Sequence, residues 1–273
     1  MNRKYLYPLL IILVTAALWY VEKNVGANNE GYPSALTGEK ATAGGKFGTV
    51  VLPSVTAGGR IVEHRYFTLS YNEEHEQAEW VAYELAKSHL SKNNFDRPYF
   101  VEDGSVKTKS ADWRNYKNSG YDRGHLCPAG DRRFNYSAYR ETFLTSNISP
   151  QEKKFNAGIW NRLEQKTRDW AQKKNGVYVV TGGILNGKTR TIGYENVTVP
   201  GAFYKIVLDK AGGGYDAIAF IIPNRASDAS FYDHTVTIDE IEAQTGIDFF
   251  NKLPDSTETA LEAKMAGKGW RGR

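Results

Sequence analysis

Gly120-Tyr121-Asp122-Arg123-Gly124-His125-Leu126-Cys127-Pro128 is the densest reactive stretch of the chain. Asp122, Arg123 and His125 bring a carboxylate, a guanidinium and an imidazole together within one short segment. An imidazole takes up or releases a proton near neutral pH, and a guanidinium grips a phosphate through parallel N–H groups. Gly124 lets a second backbone or a substrate come close. Gly120, Gly124 and Pro128 argue against a long regular element, so the stretch reads as a short strand or a loop. Taken alone, it is equally readable as a turn carrying a surface ion pair.

Downstream, Ser146-Asn147-Ile148-Ser149-Pro150-Gln151 leads toward Phe155-Asn156-Ala157-Gly158-Ile159-Trp160-Asn161-Arg162-Leu163-Glu164 and then Arg168. Ile159, Trp160, Leu163 and Trp170 recur on one side of a helical wheel, which predicts a helix over residues 155–173. On a regular helix Glu164 lies roughly 80° round from Asn156, so both side chains can face one cleft. Arg168 stands one turn beyond Glu164, a spacing that suits an ion pair between them just as well. Asn156 is equally readable as a helix cap.

Working outward, Arg65-Tyr66-Phe67-Thr68-Leu69-Ser70-Tyr71 reads as a strand ended by Asn72. Trp80, Val81, Leu85 and Leu90 predict a helix over residues 77–90. Strands are expected over 177–181, 202–208 and 217–222, with Gly212-Gly213-Gly214 as a turn, and a short helix over 237–245. This mixed order indicates an α+β fold with a mixed or antiparallel central sheet and flanking helices.

In a chain of 273 residues that is 41% hydrophobic, one substantial core can form. The net charge of +4 mildly favours polyanionic partners and is far from that of a histone-like protein. A single cysteine, Cys127, excludes an internal disulfide, and no Cys/His cluster offers a structural zinc site. Asn2-Arg3-Lys4 precedes an apolar run from Tyr5 to Val21, so residues 1–27 read as a signal peptide or an uncleaved N-terminal membrane anchor. Either reading places the working part outside the cytoplasm, secreted, periplasmic or tethered. Residues 28–60, rich in Gly, Asn, Ser and Thr, read as a flexible linker, 61–255 as the folded domain, and 256–273 as a basic C-terminal tail.

From Ile61 to Leu253 these segments resemble the DNA/RNA non-specific endonuclease family, the ββα-metal (His-Me finger) nucleases with a DRGH motif. The resemblance runs in order through Phe67-Thr68-Leu69-Ser70-Tyr71-Asn72, Trp80-Val81-Ala82-Tyr83, Gly120 to Leu126, Ser146 to Gln151, Ala202-Phe203-Tyr204-Lys205 and Gly246-Ile247-Asp248-Phe249-Phe250. It implies that His125 is the general base and that Asn156 is the one direct protein ligand of a magnesium ion, which manganese can replace. It further implies in-line hydrolysis by a His125-activated water, leaving 5′-phosphate ends. Arg123 would stabilise phosphate charge, Glu164 would orient water on the ion, and Asn147 would brace the catalytic site. Arg97 and Arg168 are candidate substrate contacts, Arg168 keeping its alternative as the partner of Glu164. Magnesium retains several waters, so the lack of a carboxylate cluster in these motifs is compatible with such a site.

The implied partners are DNA and RNA, read through phosphates and not base edges, with a membrane engaged only through the N-terminal segment. The oligomeric state is open, a homodimer included. Lys107, Lys109, Lys117, Arg132 and Arg133 either extend a basic groove or form a solvated face. His64, His75, His89 and His234 have no motif context, and Cys127 is expected to act as small apolar packing. Two rival readings are a non-catalytic nucleic-acid-binding protein and a phosphodiesterase for a small substrate or a sugar-selective enzyme.

Overall fold

The computed structural model describes residue 14, residues 52–187 and residues 190–271. The chain divides into two units, residues 1–40 and 41–273, and the fold described below is that of the second. The expected signal or anchor over residues 1–27, Val14 apart, and the linker as far as residue 51 lie outside the described residues. No described helix is long and apolar enough to cross a membrane.

In chain order the strands are β1 (Gly59–Glu63), β2 (Thr68–Asn72), β3 (Gln77–Leu85), β4 (Tyr121–His125), β5 (Ile148–Glu152) and β6 (Val177–Gly183). They continue with β7 (Thr191–Ile192), β8 (Val197–Thr198), β9 (Ala202–Ala211), β10 (Gly214–Pro223) and β11 (Thr235–Val236). The helices are α1 (Tyr136–Glu141), α2 (Lys153–Phe155), α3 (Asn161–Lys173), α4 (Ile238–Thr245) and α5 (Asp255–Glu262), and a π-helical turn, Asn156–Trp160, joins α2 to α3. The result is the expected α+β fold. Seven strands form one sheet in the order β1-β2-β3-β6-β9-β10-β11, antiparallel throughout. Between β9 and β10, Gly212 and Gly213 take φ of 60° and 81°, the left-handed pair that a two-residue hairpin turn needs.

The sheet is buried on both faces. Phe203 and Val207 of β9 pack with Phe155, Ile159, Trp160, Leu163 and Trp170 on the α2–α3 side. Tyr204, Ile206 and Leu208 pack with Ile238, Ile241, Phe249 and Leu261 on the α4–α5 side. This double burial overturns the helix expected over residues 77–90, whose first part is strand β3. Trp80 and Ala82 enter one core layer while Val81, Tyr83 and Leu85 enter the other. A strand covered on both sides loses its apolar–polar alternation, and the remaining spacing imitates a helix.

Two domain edges also differ from expectation. The Trp80 indole N–H donates to the Ser54 carbonyl at 2.9 Å, the Ser54 N–H donates to the Asp248 carbonyl at 2.8 Å, and the Thr56 hydroxyl donates to Glu79 at 2.6 Å. The body therefore begins before residue 61. Its first residues are held by hydrogen bonds, which apolar content does not register. At the other end, residues 256–271 are no free tail: α5 buries Leu261, and Trp270 is fully buried. The Trp270 indole N–H donates to Asp216 at 2.8 Å, its carbonyl accepts from the Trp170 indole at 3.1 Å, and the two indoles meet edge-on at 5.2 Å. One aromatic anchor outweighs the basic residues around it. Trp270→Ala is expected to cost about 3–5 kcal/mol of stability in urea unfolding followed by fluorescence, whereas a free tail would tolerate it without a change in midpoint.

Candidate active site

Strands β4 and β5 form a separate antiparallel ribbon with His125 opposite Ile148, Gly124 opposite Ser149 and Arg123 opposite Pro150. The α2–π–α3 segment follows at once, so the order is strand, strand, helix. A Cβ at Gly124 would stand 2.2 Å from Cδ of Gln151, so only glycine lets that side chain cross the ribbon. Within the π turn Gly158 has φ −99° and ψ −108°, outside helical geometry, which breaks the helix expected to run unbroken over residues 155–173. Such turns re-aim the side chains they carry. Regular helical angles therefore do not relate Asn156 to Glu164, yet both side chains reach the same place.

That place is an open cleft of about 420 Å³ lined by His125, Asn156, Glu164, Arg168, Arg133 and Asn161, among others. The His125 ring packs 5.5 Å from Phe100 and edge-on at 5.0 Å from Phe143. Arg123 lies over the Phe100 ring at 4.7 Å and Arg97 at 5.5 Å, both outside the cleft lining. Nε2 of His125 is buried without a hydrogen-bond partner. Burial, reinforced by the two guanidinium charges, pulls the imidazole down to about 3, so it is neutral at physiological pH.

The Asn156 amide nitrogen donates to Asp122 at 3.1 Å, which leaves the carbonyl end of the amide for other use. Burial pushes the Glu164 carboxyl up to about 7, against the opposing pull of Lys205 and Arg168. Lys205, on β9, is fully buried, sits 4.7 Å over the Trp160 ring, and its Nζ has no hydrogen-bond partner. Burial lowers its affinity for a proton, and Glu164 and Asp131 resist that shift.

Arg168 donates to Asp131 at 2.7 Å, so Asp131 and not Glu164 is its ion-pair partner. Asp131 also accepts from the Tyr83 hydroxyl at 2.9 Å. Asn147 is fully buried behind the ribbon and lines no part of the cleft, so direct contact with substrate is not its part. Its side chain accepts from the Cys127 N–H at 2.8 Å and donates to the Cys127 and Thr142 carbonyls at 3.0 and 2.9 Å. It braces the backbone just beyond His125. Arg132, expected either in a basic groove or on a solvated face, is in neither: it is buried on the Tyr66 carbonyl at 2.9 Å, while Arg133 does line the cleft. Cys127 is buried and free, its thiol pushed up to about 12 by burial, as befits packing. His64 is spent on Asp103 at 2.8 Å.

Asp122, Asp131 and Lys205 take particular parts here that the sequence did not assign to them. Asp122 stood inside the quoted motif, and Lys205 was a charge in an otherwise apolar strand, which is a signal. Asp131 offered none, because only the fold brings it to Arg168.

The model of the DNA/RNA non-specific endonuclease family matches residues 46–256, and the chain belongs to that family. It is 35% identical over 211 residues to the zebrafish (Danio rerio) protein named "Nuclease EXOG, mitochondrial", a match covering 70% of this chain and 62% of the relative. A mitochondrial nuclease of Saccharomyces cerevisiae is 32% identical over 71% of this chain and 67% of its own length. Nuclease C1 of Cunninghamella echinulata var. echinulata is 35% identical, over 72% and 84%. A crystal structure of the EndoG/EndoGI complex superposes with a TM-score of 0.69 at 28% identity, covering 76% of this chain and 90% of that one. The chain thus spans less than two thirds of the zebrafish relative. These matches overturn the expected location outside the cytoplasm: the zebrafish and yeast relatives are mitochondrial by name, which points away from secretion. A basic start followed by an apolar run reports that a segment leaves water and does not specify the compartment.

Gly124→Ala is expected to lose about 1–3 kcal/mol in thermal unfolding, because Gln151 has to leave its place. The His125 environment sets a pH dependence of known sign. The unfolded chain takes up a proton at the ordinary histidine value, which the folded chain refuses until about pH 3, so stability falls as pH falls below 6.5. Between pH 7 and 5 this share amounts to about 2 kcal/mol. His125→Gln should remove it, flattening the unfolding free energy over that interval relative to the unmodified chain.

Proposed function

We propose that this chain is a metal-dependent endonuclease that hydrolyses phosphodiester bonds of DNA and RNA without sequence preference. The observation that carries this reading is that a neutral His125 lines one cleft with Asn156 and Glu164. The His125 imidazole accepts a proton from water in the cleft, the resulting hydroxide attacks phosphorus in line, and the bond from phosphorus to the 3′ oxygen breaks, the departing oxygen taking a proton from solvent and a 5′ phosphate remaining on the other fragment. Arg123, with Arg97 beside it, offsets charge on the phosphate oxygens. Asn147 and Phe143 hold the imidazole ready from behind.

The donor set fits a hard divalent cation. Asn156 offers an amide oxygen steadied by Asp122, and Glu164 offers a carboxylate in the same cleft. Magnesium, or manganese in its place, would be held there by Asn156, with Glu164 orienting water, and supplies positive charge at the phosphate. Arg168, paired with Asp131, keeps a second guanidinium edge for substrate. Contacts of this kind touch the backbone of a nucleic acid and not its bases, which supports low sequence preference and affinity that weakens with salt.

Digestion of supercoiled plasmid and of total RNA by the full chain tests the reading. Wild type degrades both in magnesium, and chelator stops it. His125→Ala and Asn156→Ala each lower the rate by at least about 100-fold. Binding without cleavage would favour the non-catalytic rival, and cleavage restricted to mononucleotide diesters would favour the small-substrate phosphodiesterase.

A further inference from the structure

Toward the C-terminus a second group of acidic side chains gathers, sharing no residue with the cleft. Helix α4 contributes Asp239 and Glu242, the segment after it Asp248, and α5 contributes Glu258 and Glu262. Carboxylate oxygens of Asp239, Glu242 and Glu262 all lie within 4.8 Å of one another, and so do those of Asp248, Glu258 and Glu262. Glu262 is common to both sets. It is only 7% exposed, and its Oε1 is buried without a hydrogen-bond partner.

A buried, unsolvated carboxylate is costly, and here four more carboxylates surround it. Among the described residues no ion pair with Lys, Arg or His reaches any of the five. Lys264, the nearest cation in sequence, is paired with Asp216 at 3.1 Å. Glu242 spends one oxygen on the Phe249 N–H at 2.8 Å, which fixes the turn between the two helices but leaves the other oxygen. The described residues thus gather carboxyl groups around a dry acidic oxygen with no ion pair to any of them.

We propose that Asp248, Glu258 and Glu262 bind one divalent cation of the calcium class, at a site independent of the cleft, that clamps α5 onto the segment following α4, with Asp239 and Glu242 adding negative charge beside it. The three donors are hard oxygens, and calcium accepts 6–8 of them in irregular geometry, water supplying the rest. The clamp secures the segment that leads to the Trp270 anchor, so its effect is on stability and not on the chemical step.

The test uses the full chain carrying Asn156→Ala, which disables the metal ligand proposed for the cleft, stripped with chelator and then titrated with calcium chloride. Calorimetric titration gives a calcium site, and the melting temperature rises with added calcium. In the Asn156→Ala/Glu262→Gln chain that rise disappears, while the metal-free melting temperature does not fall, since the crowding of carboxylates around Glu262 has been relieved. Glu258→Gln, at a partly exposed position, weakens calcium binding by at least about tenfold without changing the metal-free melting temperature. No calcium-dependent rise in the Asn156→Ala chain, or an equal rise with Glu262 or Glu258 replaced, overturns the proposal. Because nuclease activity is not the readout, either outcome leaves the proposed function separately testable.

Discussion

His125 is kept uncharged by the way its ring is packed. Phe100 and Phe143 pack against the ring and strip much of its solvation, and Arg123 and Arg97, both resting on Phe100, make a proton there still less welcome. Everything near the ribbon serves that placement. Gly124 leaves room for the Gln151 side chain across the β4–β5 ribbon, and Asn147 ties down the chain immediately after the histidine. The π turn then carries Asn156 to the same cleft.

Beneath the cleft the large sheet supplies a set of buried charges. Lys205 projects from β9 toward α3, where Glu164 and the Arg168–Asp131 pair wait. Burial drives Glu164 and Lys205 toward their neutral forms, while each favours the charged form of the other. Losing one member of such a set leaves the rest buried and uncompensated, which is more damaging than never having had the set. The central sheet and the cleft are therefore electrostatically joined, although the ribbon that holds His125 is a separate sheet.

Much of this was legible in the residues. The motif around His125, the apolar side of the helix through Trp170, and the strands 177–181, 202–208 and 217–222 carry local signals that the fold keeps. Strand β3 was not legible, because Trp80 and Val81 are buried on opposite faces and their spacing mimics a helix. Nor was Trp270, whose partners Trp170 and Asp216 are far away in sequence. At the site, His125, Asn156, Glu164 and Arg168 were readable as a group, whereas the Arg168–Asp131 pair and the position of Asn147 behind the ribbon depend on tertiary contacts alone. The compartment was misread because hydrophobicity near a terminus is shared by segments bound for different membranes.

The central claim is that the His125 imidazole stands neutral and ready to accept a proton. A side-chain NMR titration of the metal-free chain, with histidine selectively labelled and His125 assigned by substitution, measures this directly. The account predicts that His125 stays neutral from pH 8 down to the onset of acid unfolding, with its midpoint far below the ordinary value of 6.5. A midpoint at or above 6.5 would contradict it, and would mean that the aromatic slot and the two arginines do not govern this residue.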